Sequence, residues 1–153
     1  MKNALVLSAL LLSALSCKKT DCTHPETADQ IIFGVSYAEC AGDCSRNFLL
    51  TSTQVFADNC DYCQIDAIDF QTDPLDNNKF QIAKPLLEVP DELLTMDDTI
   101  FGCPGCTDEG GFYLEITKNG EKHVFQWSSF LTDVPANLLP YFDKVAQTLY
   151  DLQ

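Results

Sequence analysis

Basic residues are scarce in this sequence. Nine Lys and Arg stand against 23 Asp and Glu in 153 residues, which gives a formal net charge of −14 at pH 7. A chain this acidic repels phosphate backbones, so the composition argues against nucleic acid as a partner. The sequence also lacks a run of about 20 apolar residues, the length that a membrane-spanning helix needs. A hydrophobic content of 46%, with seven Gly and seven Pro, excludes collagen-like and wholly disordered chains.

Familiar catalytic and cofactor motifs are absent from the sequence. It contains no dinucleotide-binding or phosphate-binding glycine loop, no Gly-x-Ser-x-Gly nucleophile and no His-Glu-x-x-His. Histidine is also rare: His24 lies in a polar segment, and His123 lies in a strand-like segment where a hydrogen-bonded structural role is expected. The sequence therefore predicts neither a cofactor nor a catalytic residue, and it favours a binding or structural protein over an enzyme.

The N-terminus has the three parts of a secretory signal. A positive head, 1–3, precedes an uncharged apolar run over 4–15, and the small residues Ala14 and Ser16 stand just before Cys17. The run is too short to span a bilayer. We therefore expect residues 1–16 to be removed as a signal peptide during export.

The position of Cys17 directly after Ser16 resembles the lipobox of bacterial lipoproteins. In that family the cysteine thiol carries diacylglycerol, the chain is cut just before the cysteine, and the new amino group is acylated, with palmitate as a typical chain. The resemblance implies lipid attachment at Cys17, the membrane as a partner and a place in the cell envelope. Lys18, where an Asp would retain the protein in the inner membrane, favours the outer membrane. Ala14 departs from the branched aliphatic residue usual at that position and leaves simple secretion as the alternative.

The rest of the chain divides into a polar tether and one domain. Residues 17–29 comprise the lipidated cysteine and the tether, and residues 30–153 form a single α+β domain without an internal repeat. A short helix is expected at about 91–96, behind Pro90. Apolar and β-branched runs, separated by turns rich in Asp and Asn, predict strands at 31–37, 47–56, 65–70 and 79–83.

The clearest predicted element is a hairpin over 111–127. Apolar and polar residues alternate up to Asn119-Gly120, a pair that adopts the positive φ angles of a type I′ turn. A two-residue turn sets Lys118 opposite Glu121 and Ile116 opposite His123. One side of the hairpin is then almost wholly apolar, and an isolated hairpin is at best marginally stable. Another element must therefore cover that side.

The C-terminal segment has the pattern of such a cover. From about Asn137, apolar residues recur every three or four positions, which is the spacing of one helix face. Pro140 falls in the first turn, where a helix tolerates proline. We expect this helix to pack across one face of an antiparallel sheet through Leu138, Phe142, Val145, Leu149 and Leu152.

Cysteine is abundant, with eight residues in the chain. Apart from Cys17 and from Cys22 in the tether, six cysteines lie in three closely spaced pairs, Cys40/Cys44, Cys60/Cys63 and Cys103/Cys106. Export to an oxidising compartment favours structural disulfides, although the sequence leaves their connectivity open. The turn dipeptide Pro104-Gly105 favours a local bridge between Cys103 and Cys106.

Two other uses of these cysteines stay open. In the first, the Cys-x2-Cys pairs at 60/63 and 103/106 supply four thiolates to Zn²⁺. In the second, one of these pairs exchanges disulfides with a partner. The acidic residues Asp108 and Glu109 count against the second use, because negative charge disfavours a thiolate at Cys106. The segment Cys40-Ala-Gly-Asp-Cys44 resembles a pattern in small envelope proteins, many of them lipoproteins, and brings no activity with it.

The sequence hypothesis is a lipid-anchored, disulfide-bridged envelope protein with a binding or structural role, and the alternative is a thiol-redox or zinc-binding envelope protein.

Overall fold

A six-stranded sheet forms the centre of this computed structural model, which describes residues 26–37, 45–59, 68–106, 110–129, 131 and 133–153. Neighbouring strands run antiparallel except at one edge, where β6 lies parallel to β8. The strands in spatial order are β4 (Val55–Ala57), β3 (Ser45–Thr51), β2 (Gln30–Ser36), β7 (Gly111–Lys118), β8 (Glu121–Ser128) and β6 (Thr99–Phe101). Two short strands, β1 (Glu26–Thr27) and β5 (Glu88–Val89), pair in a separate antiparallel ribbon.

Two α-helices complete the fold. They are α1 (Asn77–Ala83) and α2 (Leu139–Leu152), and 3₁₀ turns lie at Lys84–Leu87 and Asp91–Leu94. The predicted α+β class is confirmed, with a mostly antiparallel sheet and a C-terminal helix. Within the described ranges, the helices are too short or too polar to cross a bilayer.

The predicted hairpin is confirmed together with its register. Strands β7 and β8 pair Lys118 with Glu121, and the pairing continues along both strands as expected. Asn119 and Gly120 have φ angles of 52° and 83°, the positive values that a type I′ turn needs. Asparagine and glycine adopt this region at low cost. Two residues of the sequence therefore determine which side chains of both strands share a face.

Helix α2 covers the apolar side of this hairpin, as predicted. Its Phe142 ring is fully buried and makes edge-to-face contacts with Phe101, Phe125 and Trp127, at centroid distances of 5.5, 6.1 and 4.6 Å. Ring pairs of this kind add to the free energy gained by burial. The residues that the sequence assigns to the buried face of the helix all lie in the core: Leu138, Phe142, Val145, Leu149 and Leu152.

Two polar side chains hold α2 at its ends. The Tyr141 hydroxyl donates a 2.7 Å hydrogen bond to the carbonyl of Leu86, and both residues are buried. Burial raises the pKa of the Tyr141 phenol above its ordinary value. At the other end, Lys79 of α1 donates from Nζ to the carbonyls of residues 151–153, most closely to Leu152 at 2.7 Å. A cation at this position satisfies carbonyls that the last helical turn leaves unpaired.

The prediction of a strand at 79–83 is wrong, because this segment lies in α1. The side chain of Asp76 accepts a hydrogen bond from the backbone amide of Lys79 and so caps the helix. Phe80 and Ala83, one helical turn apart, are both buried in the core. A short apolar run fits a strand or a helix equally well by pattern alone. The capping residue upstream is the feature that distinguishes them here.

The predicted strand over 47–56 is two strands rather than one. Strand β3 ends at Thr51, whose hydroxyl accepts hydrogen bonds from the amides of Thr53 and Gln54, at 3.4 and 3.1 Å. Strand β4 then begins at Val55 and returns along β3. A threonine hydroxyl that accepts hydrogen bonds from amides two and three residues ahead favours a turn over continued strand pairing. The predicted strand is therefore interrupted after Thr51.

Two weaker predictions have mixed outcomes. Of the expected strand over 65–70, residues 65–67 lie outside the described residues, and Phe70 forms an isolated bridge with Asp58. The short helix expected behind Pro90 is present as the 3₁₀ turn Asp91–Leu94. Pro90 stands at the cap position of that turn, immediately before its first residue.

The chain joins the fold before residue 30, the expected start of the domain. Ala28 is buried, and the amides of Ala28 and Asp29 donate to the carbonyls of Leu87 and Thr117, at 2.9 and 3.0 Å. Residues 26–29, which the sequence prediction assigns to the tether, therefore belong to the folded unit. The predicted signal peptide, Cys17 and the rest of the tether lie outside the described residues.

Candidate interaction surface and cysteine loop

The sheet has a second face, opposite α2, that carries both apolar and polar side chains; we call it the open face. One row of directly paired residues crosses five strands from β4 to β8: Phe56, Leu49, Ile32, Glu115 and Val124. The four apolar members are partly exposed, and none of them belongs to the core cluster or packs against it. Phe56, Leu49 and Ile32 are adjacent on three neighbouring strands, and we call them the apolar strip.

A buried carboxylate follows the apolar strip in this row. Glu115 is only 8% exposed, and it accepts hydrogen bonds from the Tyr113 hydroxyl at Oε2 (3.0 Å) and from Lys122 Nζ at Oε1 (2.6 Å). Each carboxylate oxygen thus has a donor, which offsets the cost of removing a charge from water. The Lys122 side chain is 61% exposed. The three residues therefore form a hydrogen-bonded ion pair, neutral overall, at a fixed place in the sheet.

Tyr113 is a fixed donor in this cluster. Burial, and then the neighbouring Glu115 carboxylate, raise the pKa of its phenol above the ordinary value of 10.0. At neutral pH the hydroxyl keeps its proton and donates it to Glu115. The phenol therefore acts in this cluster as a hydrogen-bond donor to Glu115.

Gly34 leaves room for a second polar cluster on the open face. A Cβ atom at this residue would collide with the side chain of Asn47 and would lie 2.7 Å from the carbonyl of Arg46. The Asn47 side chain, which is buried, donates to the Asp58 carboxylate at 2.9 Å, and its backbone amide donates to the same oxygen at 2.8 Å. Because residue 34 is a glycine, the Asn47 side chain has room to pair with the Asp58 carboxylate beside the apolar strip.

The open face ends at the short edge strand β6. Ile100 lies on this face, opposite Gln126, and is 63% exposed. Of the residues that the structure describes, none hydrogen-bonds to the backbone of β6 on the side away from β8. Short edge strands limit pairing with other chains. The exposed side chains of this face, rather than its edge, therefore offer the contact surface.

A separate candidate is the loop that follows β6. Its four residues, Cys103-Pro104-Gly105-Cys106, form a turn in which the amide of Cys106 donates to the carbonyl of Cys103 at 3.1 Å and Gly105 has a φ of 82°. Proline and glycine at the two central positions are typical of a type II turn. The two sulfurs lie at disulfide distance, with Cα atoms 5.4 Å apart, so the predicted local pairing is present. Both cysteines are exposed.

The other predicted site residues lie outside the described residues: Cys17, Cys40, Cys44, Cys60 and Cys63. The zinc alternative requires Cys60 and Cys63 and stays a prediction. In the described part of the chain, no group of three or more His, Cys, Asp or Glu is arranged to hold a metal ion. His123 pairs with Ile116 as predicted, and its Nδ1 lies 2.9 Å from the carbonyl oxygen of Met96, which gives the ring a structural partner.

The alternation along the hairpin places Tyr113, Glu115 and Lys122 on its more polar side, but it does not reveal that the first two are buried. One signal for the ion pair was available. Once the turn fixes the register, Glu115 and Lys122 occupy diagonal positions on one face, and opposite charges there attract. The apolar strip had no such local signal, because the run over 47–56 is predicted as one strand and so gives no sign that β4 returns along β3.

Comparison with known proteins adds no family to these observations. Neither protein-family models nor curated protein sequences match the chain. Its function has to be inferred from the open face, the cysteine loop and the N-terminal motif.

Proposed function

We propose that this chain is a lipid-anchored envelope protein that binds a protein partner through the apolar strip of its open face. The observation that carries the proposal is that Phe56, Leu49 and Ile32 are adjacent, partly exposed and separate from the core. Single exposed hydrophobic residues are ordinary on protein surfaces. Three on neighbouring strands form a continuous patch, and such patches are typical of contact sites.

Charge favours a basic partner over a second copy of the chain. At a net charge of −14, two copies repel each other, most strongly at low salt. The Lys122 ammonium near the strip is already paired with Glu115, and Asp98 lies close by, where it accepts a 2.8 Å hydrogen bond from the amide of Val124. A partner segment with apolar side chains flanked by Lys or Arg complements this surface. Such complementarity accelerates association and selects among partners.

The N-terminal motif supports a place on a membrane. A single acyl chain gives only reversible attachment, whereas a cysteine that carries several chains is anchored stably. In this proposal Cys17 holds the lipid, and residues 18–25 separate it from β1. Anionic headgroups repel an acidic domain. The domain therefore stands away from the bilayer, where other envelope proteins reach its open face.

Site-specific photocrosslinking in cells tests the binding surface. A crosslinking amino acid replaces Leu49 in the apolar strip or, as the matched control, Tyr150, which is 58% exposed on α2. We expect an adduct with a different polypeptide from position 49 only. The crosslinked peptide, sequenced by mass spectrometry, should contain Lys or Arg beside apolar residues. Ile32→Asp, directly adjacent to Leu49, should abolish the adduct, whereas Tyr150→Asp should leave it unchanged.

Three results would contradict the proposed surface. They are equal adducts from positions 49 and 150, an adduct between two copies of this chain, and an adduct that survives Ile32→Asp. The fluorescence of Trp127, the single tryptophan and fully buried, shows whether each variant is folded. A surface variant that loses the adduct counts only when this signal matches that of the unsubstituted protein.

Detergent-phase partition tests the anchor separately. The protein from cells labelled with an alkyne fatty acid should enter the detergent phase and carry the label. Cys17→Ala should carry no label and remain in the aqueous phase. Equal partition of the two proteins would refute lipid attachment at Cys17.

A further inference from the structure

The fold holds the cysteine loop through contacts that do not involve sulfur. Phe101, at the end of β6, is buried against the aromatic rings of the core. Pro104 packs so closely on Gly111 that a Cβ atom at residue 111 would collide with the proline ring. The turn also has its own backbone hydrogen bond, from Cys106 to Cys103. None of these contacts involves sulfur, so we expect them to keep the two thiols of the reduced loop close together.

The same loop is open to an incoming molecule. Both cysteines are exposed, and among the described residues no atom beyond 104–106 lies within 4 Å of the position that a Cβ atom of Gly105 would occupy. The exposed pair thus lies where the thiolate of another protein is able to approach it. A bridge with a sequence separation of only three also restricts the unfolded chain less than a long bridge does. The bond is thus accessible, and its loss costs less stability than the loss of a long bridge would.

We infer that Cys103 and Cys106 form a reversible thiol–disulfide centre that accepts electrons from a protein with a pair of thiols. This inference is independent of the proposed partner surface, since it concerns different residues. Exposed disulfides are the ones that thiolates exchange with most readily. In this exchange the loop is the attacked disulfide, and the partner supplies the attacking thiolate.

The exchange balances in two steps. A thiolate of the partner attacks one sulfur of the Cys103–Cys106 bond; that bond breaks, a mixed disulfide forms, and the departing sulfur takes a proton. The second thiol of the partner loses its proton and attacks the partner's own sulfur in the mixed disulfide; the mixed disulfide breaks, and the released loop sulfur takes a proton. The partner is left with an internal disulfide, and Cys103 and Cys106 are left as thiols. Two electrons and two protons pass from the partner to the loop.

The test uses the full chain, isolated without reductant. The protein is equilibrated in buffers of reduced and oxidised dithiothreitol, and in parallel with reduced thioredoxin. Differential alkylation with mass spectrometry measures the oxidation state of the peptide with Cys103 and Cys106. Near-ultraviolet circular dichroism of the buried rings follows the fold. We expect reversible reduction of this pair while the spectrum stays unchanged.

Two variants sharpen the result. Cys103→Ser/Cys106→Ser should keep the native spectrum and should oxidise no thioredoxin through this loop. Gly105→Ala should slow reoxidation of the loop about tenfold, because residue 105 needs a positive φ angle to bring the sulfurs together. An unchanged reoxidation rate would show that the turn does not organise the thiols.

Two outcomes of the main experiment would overturn the inference. In the first, the pair stays oxidised until the near-ultraviolet spectrum is lost, which marks a purely structural bridge. In the second, the isolated protein contains both residues as thiolates with bound zinc, which marks a metal site.

Discussion

Replacing Tyr141 by Phe should destabilise the protein through one hydrogen bond. The Tyr141 hydroxyl donates to the carbonyl of Leu86 at 2.7 Å, in a place where both residues are buried. Phenylalanine fills almost the same volume, so the principal loss is the donor, and a buried carbonyl is left without a partner. That loss costs about 2 kcal/mol, which corresponds to a melting temperature lower by roughly 6 °C in a domain of this size. Urea unfolding followed by Trp127 fluorescence measures the change.

Tyr150→Phe is the matched control, since Tyr150 lies on the exposed side of the same helix. It should change the free energy of unfolding by less than about 0.5 kcal/mol. Equal stability of the Tyr141→Phe and Tyr150→Phe proteins would refute the reasoning. It would mean that the hydrogen bond from the Tyr141 hydroxyl to the Leu86 carbonyl does not stabilise the folded protein.

The pH dependence gives the same prediction a second readout. The folded-state pKa of Tyr141 is raised, so its contribution is complete below the unfolded pKa near 10.0 and is lost as pH rises above it. At pH 11 the unfolded phenol is mostly ionised, which removes about 1.4 kcal/mol from the stability of the unsubstituted protein. The Tyr141→Phe protein should lack this part of the decrease in the free energy of unfolding at high pH. A variant whose stability falls with pH as steeply as that of the parent would contradict the assignment.

Two further substitutions test other contacts of the fold. Gly34→Ala puts a Cβ atom into the side chain of Asn47 and should cost about 2 kcal/mol by overpacking; an unchanged urea midpoint would show that the sheet opens there at no cost. Lys79→Met removes the ammonium from the carbonyls at the end of α2 and should cost about 0.5–1 kcal/mol. The exposed Lys84→Met is its control, and equal effects of the two lysine variants would argue against a specific role for Lys79.

The parts of the fold that sequence predicts well are those set by local interactions. Asn119-Gly120 determines its own turn and therefore the register of β7 with β8. The spacing of the apolar residues before Leu152 determines the buried face of α2. The Cys103–Cys106 pairing follows from a turn dipeptide between the two residues. In each case the information lies within one element or one turn.

The parts that sequence does not predict depend on neighbours that are distant in the chain. Strand β6 has only three residues and is defined by its pairing with β8. A glutamate is normally exposed, yet Glu115 is buried. Ile32 and Val124 flank it on the neighbouring strands. Tyr113 and Lys122 donate hydrogen bonds to its carboxylate. The apolar strip lies on the consecutive strands β2, β3 and β4, and it depends on a turn after Thr51 that the apolar run over 47–56 does not reveal. The candidate surface was therefore beyond pattern analysis, whereas the cysteine loop was not.

The central position of β2 dictates when this protein can acquire its native form. One edge of β2 pairs with β3, but its other edge pairs with β7, where the partner of Gln30 is Thr117 in the last third of the chain. A polypeptide synthesised or delivered from its N-terminus thus presents an incomplete sheet until the last third of the chain arrives. Closing so large a loop is slow and leaves hydrophobic strands vulnerable to aggregation in the meantime. Nascent chains truncated before residue 111 should consequently be unable to mature and should be natural clients of holding chaperones.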